Sequence, residues 1–295
     1  MRRLFLAAAV MTALLVPASS ALAAPHHPTG EYAQFADCPL SKSTLKACLY
    51  AETTSGFFIL GAKNTPIKNP VVLQAGLEWP AGSPDGIFSP LTVVGAEDGN
   101  TLTKAPQPVP GGLLGVTAPT WWPTILKNLF NETINNGFTG VTATVELAAP
   151  ASSIKLSVLN LFLQQGTALS LPVKVKLDNP FLGGSCYIGS NSSPIALNLT
   201  TGTTAPPPPN TPITGSSGEG SENPAGTIVT IKNNKLVNNS FAAPGANGCG
   251  GILFSWAVDP LVNSIVGIPS AAGNNTAVLE GTLKTGEPAA IRASE

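Results

Sequence analysis

Four cysteines and two histidines are the residues of this chain best suited to nucleophilic or metal chemistry. A catalytic thiol needs a histidine or other positive charge to lower its pKa, and a zinc site favours cysteines two to four residues apart. His26 and His27 lie together in a proline-rich stretch, far in sequence from most of the cysteines. The cysteines are too widely spaced for a zinc site; they are Cys38, Cys48, Cys186 and Cys249. The sequence therefore argues against a catalytic cysteine, a metal or other cofactor, and a Ser-His-Asp triad.

Paired carboxylates are the one catalytic device that the composition still permits, as in glycoside hydrolases. The candidates are Glu78, Asp85, Glu97, Asp98, Glu132, Glu146 and Asp178. Most have a structural explanation. The stretch Glu97-Asp98-Gly99-Asn100 fits a hairpin turn, Glu146 falls on the polar face of a strand, and Asp178 starts a turn. A calcium site at Asp98 and Asn100 would lack the usual D-x-D-x-D-G loop. We therefore predict no catalytic site, with a carboxylate-dependent hydrolase as the less favoured alternative.

The first 23 residues have the pattern of a secretory signal peptide. Arg2 and Arg3 precede an apolar run from Leu4 to Val16, and small residues lead to an A-x-A cleavage site at Ala23. Because a run of about 13 residues is short for a bilayer-spanning helix, we predict cleavage and no transmembrane anchor. General secretion is favoured over the twin-arginine route. The mature protein is expected to be secreted, either free outside the cell or associated with the cell envelope.

Charge excludes one class of partner. Without the signal peptide the chain has 13 basic and 16 acidic residues, a net charge of −3, and Arg292 is its only arginine. A protein without a basic patch lacks the electrostatic footprint that phosphate backbones require, so nucleic acid is not a partner. Charged residues make up 11% of the chain, against roughly 25% in an average globular protein. The exterior must instead be built from Thr, Asn, Ser and Gly.

The cysteines fit disulfides, because their number is even and the chain carries an export signal. Four cysteines allow three connectivities. Pairing Cys38 with Cys48 is the local choice and leaves Cys186 with Cys249. The motifs "GGSC" and "NGCGG" place glycines beside Cys186 and Cys249, which lets two backbones approach closely.

Alternation of apolar and polar residues with period two predicts half-buried antiparallel strands. In the stretch 141–147, Val141, Ala143 and Val145 share one face, and Thr142 and Thr144 share the other. About ten short strands separated by Gly, Pro and Asn predict a mainly β protein, an antiparallel β-sandwich with a barrel-like fold as the alternative. The candidate strands are 56–60, 71–77, 91–96, 141–147, 156–163, 173–177, 195–200, 227–232, 252–258 and 277–285.

One or two short helices interrupt this pattern. Residues 119–137 contain an apolar stripe at helical spacing, with Pro123 in the first turn and Gly137 at the end. Residues 258–267 predict a second helix. Trp121 and Trp122 are a candidate platform for an apolar or carbohydrate ligand. The alternative is that the first helix packs across one end of the sandwich.

The stretch 203–226 has the Pro, Gly and Ser content of a linker. A Cys186–Cys249 bond would enclose this stretch and make it a long loop within one domain. We therefore predict a signal peptide at 1–23, a flexible segment at 24–36 and one β domain at 37–295.

The segments "FADCP", "LQAGL", "FLGGSCYIGS" and "NLTTGTTAPPPPN" together resemble a group of uncharacterised exported proteins of high-GC Gram-positive bacteria. The resemblance implies export and disulfides, and it carries over no catalytic residue.

These observations favour a secreted or cell-envelope protein that is not an enzyme and acts through its surface. The second hypothesis is an extracellular binding module for an apolar or carbohydrate ligand. Candidate partners are therefore cell-wall, lipid or carbohydrate molecules.

Overall fold

The fold is taken from a computed structural model that describes residues 26–80, 89–135 and 139–295. The predicted signal peptide at 1–23, the candidate carboxylate Asp85 and the predicted helix end at Gly137 lie outside the described residues.

The described chain is mainly β, as predicted, and its strands form one 14-stranded antiparallel sheet. The strands are β1 (Ala47–Leu60), β2 (Lys63–Pro66), β3 (Val71–Glu78), β4 (Leu91–Gly95), β5 (Gln107–Pro108), β6 (Thr142–Leu147), β7 (Lys155–Leu156), β8 (Leu169–Asp178), β9 (Tyr187–Ile188), β10 (Ile195–Leu199), β11 (Glu219–Glu222), β12 (Ile228–Asn238), β13 (Ala246–Asn247) and β14 (Thr276–Gly286).

Helices are more numerous than the one or two that the sequence predicts. The α-helices of the described residues are α1 (Thr124–Asn135), α2 (Val158–Leu163), α3 (Gly251–Val266) and α4 (Pro288–Ala293). Short 3-10 helices cover Gly30–Phe35, Gly112–Leu114 and Ala151–Ser153.

The sheet curls so that its two halves face each other across one apolar core. Its main path runs β11-β12-β14-β1-β3-β4-β7-β8-β6-β5, and β10 and β9 also pair with β8. Buried residues of β1 and β3 in one half, such as Leu49 and Leu73, belong to the same cluster as Leu171 and Leu197 of β8 and β10 in the other. A single bridge, Thr200 with Val237, joins β10 to β12, and the sheet is not closed into a barrel.

Period-two burial is clearest in β8 and β10, where the sequence alternation is strongest. Along Leu169–Asp178 every odd-numbered residue is buried and every even-numbered one is partly exposed. Along Ile195–Leu199 buried and exposed residues alternate in the same way. The prediction of half-buried antiparallel strands is confirmed for these segments, because one face of each strand lines the core.

Two predicted strands are wrong. Residues 252–258 lie in α3, and residues 156–163 form the end of β7 followed by α2. The Ser157 side chain accepts a hydrogen bond from the N–H of Asn160 and so caps α2. Gly250, with φ 80°, turns the chain into α3. Both segments are nearly continuous apolar runs, and such runs do not distinguish a strand from a helix by their period.

Both predicted disulfides are present, Cys38–Cys48 and Cys186–Cys249. Cys38–Cys48 ties the N-terminal segment to β1 beside a second, smaller core that contains Phe35 and Ile291. The described part of this segment, from His26, contacts the sheet: the Tyr32 hydroxyl, for example, lies 2.7 Å from Oγ1 of Thr227.

The proline-rich stretch 203–226 lies against the same sheet. Its last part contains β11, which pairs with β12. In its middle, Nδ2 of Asn210 donates hydrogen bonds of 2.9 Å to the carbonyls of Asn239 and Asn275. The stretch is therefore built into the β structure that the Cys186–Cys249 bond encloses.

Candidate functional site

The N-terminal end of α3 is held by a disulfide and by main-chain hydrogen bonds, and it borders an exposed apolar surface. Cys249 forms its disulfide with Cys186 two residues before α3 begins. The preceding strand β13 pairs with β9, and Gly250 donates a 2.7 Å hydrogen bond to the carbonyl of Leu182. Gly248 has φ 73°, and a Cβ there would lie 2.4 Å from the carbonyl oxygen of Ser185. Glycine is therefore required at this crossing.

Two polar side chains of α3, Asp259 and Asn263, point toward the protein. The Asp259 carboxylate accepts hydrogen bonds from the main-chain N–H groups of Cys249 at 2.8 Å and Gly248 at 3.2 Å. Oδ1 of Asn263 accepts one from the N–H of Ala246 at 2.7 Å. Both side chains thus hold the segment that leads into the helix.

Several large apolar side chains of α3 point toward solvent, whereas Val262 is buried in the core. Ile252 is 100% exposed, Trp256 is 79% exposed and Leu253 is 75% exposed. We define the α3 outer face as Ile252, Leu253, Phe254, Trp256 and Leu261, all of which are more than half exposed. A surface helix of a globular protein normally presents polar residues to solvent. The outer face of α3 is apolar instead, although the helix also packs an apolar side, with the buried Val262, on the main core.

Trp121 and Trp122, the predicted ligand platform, lie just before α1. The Trp121 ring is 80% exposed, whereas Trp122 is partly buried against Phe130, with ring centroids 5.5 Å apart in an edge-to-face arrangement. The apolar stripe of α1 is also exposed, with Ile125 at 81% and Leu129 at 60%. The alternative that this stripe packs across the sandwich is not what the structure shows.

The chain that leads into α1 contacts α3. A Cβ on Gly115 would lie 2.9 Å from Cγ2 of Ile265, near the C-terminal end of α3. The 3-10 helix Gly112–Leu114 directly precedes Gly115, and its Leu113 packs against the main core. The segment that precedes α1 therefore lies against the C-terminal part of α3.

Two apolar cavities lie inside the curled sheet. The larger, of about 70 Å³, is lined by both halves of the sheet, including Leu49, Leu171 and Leu197. The smaller, of about 60 Å³, lies toward α3 and is lined by Val109, Val175, Ile188 and Val266 among others. Phe58 and Val145 line both cavities, so these two side chains separate them.

The polar lining of the smaller cavity consists of Lys63, Thr65 and Gln107. Nζ of Lys63 donates a 2.9 Å hydrogen bond to the carbonyl of Gly115. Burial lowers the pKa of Lys63, since an ammonium group loses hydration there. Lys63, the first residue of β2, is therefore a partly buried cation that contacts the Gly115 loop.

The candidate carboxylates are dispersed and engaged with close neighbours. Glu146 lies 4.0 Å from Lys174, and Asp178 lies 2.6 Å from Lys176. Glu78 accepts a hydrogen bond from the Thr44 hydroxyl. Asp98 accepts one from the N–H of Asn100 at 2.8 Å, within the turn that the sequence predicts, and Glu132 is exposed on α1.

Two carboxylates that sequence reasoning did not single out, Glu31 and Glu222, line one open concavity together with Lys232 and Lys284. Both glutamates are exposed, and Glu31 accepts a hydrogen bond from Nδ2 of Asn223 at 2.9 Å. A catalytic acid instead needs a desolvated position that keeps it protonated. This concavity gives neither glutamate that environment.

His26 is held between two carboxylates. Its Nδ1 lies 2.6 Å from Oε1 of Glu295, and its Nε2 lies 3.1 Å from Oε2 of Glu97. The second contact has an ion-pair distance but not the alignment of a hydrogen bond. Burial raises the pKa of the neighbouring Asp37, Asp98 raises it further, and a hydrogen bond from Gln74 lowers it. Within the described residues no group of three or more His, Cys, Asp or Glu side chains is placed to hold a metal ion.

The helix predicted at 258–267 corresponds to the second half of α3, whereas sequence reasoning missed the first half of α3 and Lys63. The signal for α3 was its composition: "GILFSWAVDPLVNSIV" contains nine large apolar or aromatic residues and one charged residue, Asp259. The signal for Lys63 was a lysine three residues after Leu60, the apolar end of β1. Across the described ranges, no helix has the length and apolar character needed to cross a bilayer.

Comparisons of the chain with protein-family models, with curated proteins and with solved structures find no match in any of the three.

Proposed function

We propose that this protein is an exported, non-enzymatic protein that attaches to an uncharged lipid surface through the α3 outer face. The observation that carries the proposal is the exposed apolar face that α3 presents to solvent. Asp259 and Asn263 face the protein, and the five residues of the outer face point to solvent. An interfacial helix buries its apolar side in the boundary between lipid headgroups and acyl chains.

The arc of exposed side chains favours lipid over a protein groove. Ile252, Leu253 and Phe254 are consecutive, so they point about 100° apart and together cover roughly 200° of the helix. A helix that docks into a groove presents a narrow stripe at i, i+3, i+4 and i+7. A fluid hydrocarbon layer can surround the wider arc.

Charge favours a neutral lipid. The one charged residue of α3, Asp259, is occupied by two main-chain N–H groups. The chain as a whole carries 15 basic and 16 acidic residues, so it has no excess of positive charge with which to attract anionic headgroups. Attachment should therefore depend little on salt.

Burial of apolar area supplies the driving force. Fully burying a side chain of the size of Leu, Ile or Phe contributes about 1.5–3 kcal/mol. The rigid junction at Cys249 lowers the ordering cost, because the disulfide and Asp259 already fix the helix start.

Export is proposed from the signal-peptide pattern of residues 1–23 and is supported by the two disulfides, which persist in oxidising compartments. A non-enzymatic role is supported by the dispersion of the candidate carboxylates. Asp178, for instance, is paired with Lys176, and Glu78 with Thr44.

The test is co-flotation of the purified protein with phosphatidylcholine vesicles. The variant Ile252→Ser/Leu253→Ser should lose more than about tenfold of vesicle binding, because two side chains no longer enter the hydrocarbon. The matched control is Phe162→Ser/Leu163→Ser on α2, whose side chains are 49% and 56% exposed. This control should bind like the parent protein.

Several outcomes would overturn the proposal. One is vesicle binding that the α3 variant leaves unchanged, and another is binding that requires anionic lipid and disappears on adding salt. A third is a dimer in sedimentation velocity that only the α3 variant dissociates, which would assign the outer face to a second copy of the chain.

A further inference from the structure

Lys63 lies on the interior face of the sheet. In the pairing of β1 with β2, Phe58 is opposite Thr65 and Leu60 is opposite Lys63. Directly opposed residues of antiparallel strands project to the same face. Since Phe58 and Leu60 both line the smaller cavity, the Lys63 side chain belongs to that side as well.

The Lys63 ammonium has only a neutral partner among the described contacts. Its Nζ donates to the Gly115 carbonyl at 2.9 Å, and none of the ion pairs among the described residues includes it. A partly buried charge is stabilised by a counter-ion much more than by a single carbonyl. The position is therefore chemically suited to an anion.

The other large polar side chain of this cavity is already satisfied. Oε1 of Gln107 accepts hydrogen bonds from the N–H groups of Lys68 and Asn69, at 2.8 and 2.9 Å. Its Nε2 donates to the carbonyls of Asn69 and Ala105, at 2.7 and 3.2 Å. The amide of Gln107 is thus fully used in hydrogen bonds to the main chain. Among the large polar side chains that line this cavity, Lys63 is therefore the one left to bind a polar headgroup.

Beyond Lys63 the lining is apolar and leads inward. The side chains of Val109, Val175 and Ile188 border the smaller cavity, and Phe58 and Val145 separate it from the larger one. The two cavities of about 60 and 70 Å³ together approach the 150 Å³ of an apolar cavity that binds benzene. This space suits an aliphatic tail of roughly six to eight carbon atoms.

We propose that the smaller cavity binds a medium-chain aliphatic carboxylate, with its carboxylate at Nζ of Lys63 and its tail directed past Val175 toward Phe58. The Gly115 carbonyl gives up or shares its hydrogen bond as the carboxylate binds. Because the smaller cavity alone holds only part of such a tail, the tail extends into the larger cavity by displacing the Phe58 ring, which packs against the core but is only partly buried. The site is separate from the α3 outer face and does not rest on the lipid attachment proposed above.

The experiment is titration calorimetry with octanoate, octan-1-ol and acetate. Octanoate should bind at least about tenfold more tightly than octan-1-ol, because only the carboxylate pairs with the ammonium. Acetate, which has no tail, should not bind detectably. The variant Lys63→Met should remove the preference for octanoate and keep the binding of octan-1-ol.

Lys68→Met is the matched control, since Lys68 is an exposed lysine five residues away on the same segment. It should keep the preference of the parent protein. Ala143→Phe, which fills the smaller cavity, should abolish binding of both eight-carbon ligands, and its fold is checked by circular dichroism. The Ile252→Ser/Leu253→Ser variant should bind octanoate normally, which separates this site from the lipid attachment.

An unchanged preference in Lys63→Met would overturn the proposal and leave Lys63 as a charge that protects an edge strand from pairing with other chains. Absence of octanoate binding to the parent protein would overturn it equally. Binding that Ala143→Phe does not affect would place the ligand outside the cavity and contradict the proposed pose.

Discussion

The Asp259 carboxylate accepts a 2.8 Å hydrogen bond from the main-chain N–H of Cys249, so a residue in the middle of α3 holds the chain just before the helix begins. The same carboxylate accepts from Gly248 at 3.2 Å. Cys249 is in turn bonded to Cys186, which follows β8 and directly precedes β9. The helix that carries the exposed outer face is thereby held by a polar side chain as well as by the buried Val262.

Asp259→Ala should lower the free energy of unfolding by about 1.5–3 kcal/mol, because two main-chain donors lose a charged acceptor. Urea denaturation measures the change. Ser264→Ala, at an exposed position of the same helix, is the control and should leave stability nearly unchanged. Equal stability of the two variants would show that the Asp259 contacts contribute nothing.

The two disulfides should differ in their contribution to stability. Cys186 and Cys249 are 63 positions apart, whereas Cys38 and Cys48 are 10 apart. In the chain-entropy description, removing them as Cys-to-Ser pairs costs about 4 and about 3 kcal/mol, respectively. Hydrogen exchange should also show faster exchange of α3 amides only in Cys186→Ser/Cys249→Ser. Equal protection of α3 in both double variants would contradict the anchoring role of Cys249.

Asn275 connects several segments at a fully buried position. Its Oδ1 accepts from the N–H of Gly61 at 2.9 Å and from the Ser270 hydroxyl at 2.7 Å, and its Nδ2 donates to the Phe241 carbonyl at 2.9 Å. Asn275→Ala leaves these groups unpaired and should cost at least about 2–3 kcal/mol. The adjacent, exposed Asn274 provides the control variant, Asn274→Ala. Thermal unfolding that ranks the two variants equally would refute this role.

The same substitution should change stability by very different amounts at two isoleucines. Ile195 is 1% exposed in β10, and Ile252 is 100% exposed in α3. Ile195→Ser should destabilise the fold by at least about 2–5 kcal/mol, and Ile252→Ser should change stability by less than about 0.5 kcal/mol. Denaturant titration of both variants tests the assignment. A large loss in Ile252→Ser would mean that this side chain is covered in the folded protein.

The raised pKa of Asp37 should make the stability of the fold depend on pH. Because burial and the Asp98 carboxylate raise its pKa above the ordinary 3.8, the folded state binds the proton more tightly than the unfolded chain does. Its contribution to stability is therefore present below about pH 3.8 and is lost as the pH rises through the folded pKa. Asp37→Asn does not titrate, so the parent protein should lose stability relative to this variant between acidic and neutral pH. A difference in urea midpoint between the parent protein and Asp37→Asn that stays constant across this pH range would contradict the prediction.

Much of the β framework follows from local pattern. Strands such as β8 alternate residue by residue because one face must enter the core, and this alternation is visible along Leu169–Asp178 without any knowledge of partners. The cysteine pairing was equally accessible, since Cys38 and Cys48 are close in sequence and only Cys186 and Cys249 remain. These features depend on neighbours along the chain or on simple elimination.

The candidate sites could not be predicted from the sequence, because contacts between distant segments decide them. The apolar run at 252–258 has no period that selects helix or strand. Asp259 and Asn263 turn inward where the segment 246–249 offers them N–H donors, and this segment is held in place by the disulfide to Cys186. Lys63 faces the interior only through its register with Leu60. The sequence by itself thus determined which segments alternate and which cysteines can pair. Tertiary structure decided which side of α3 meets solvent and which lysine lies beside a cavity, since both depend on hydrogen bonds between residues far apart in the chain.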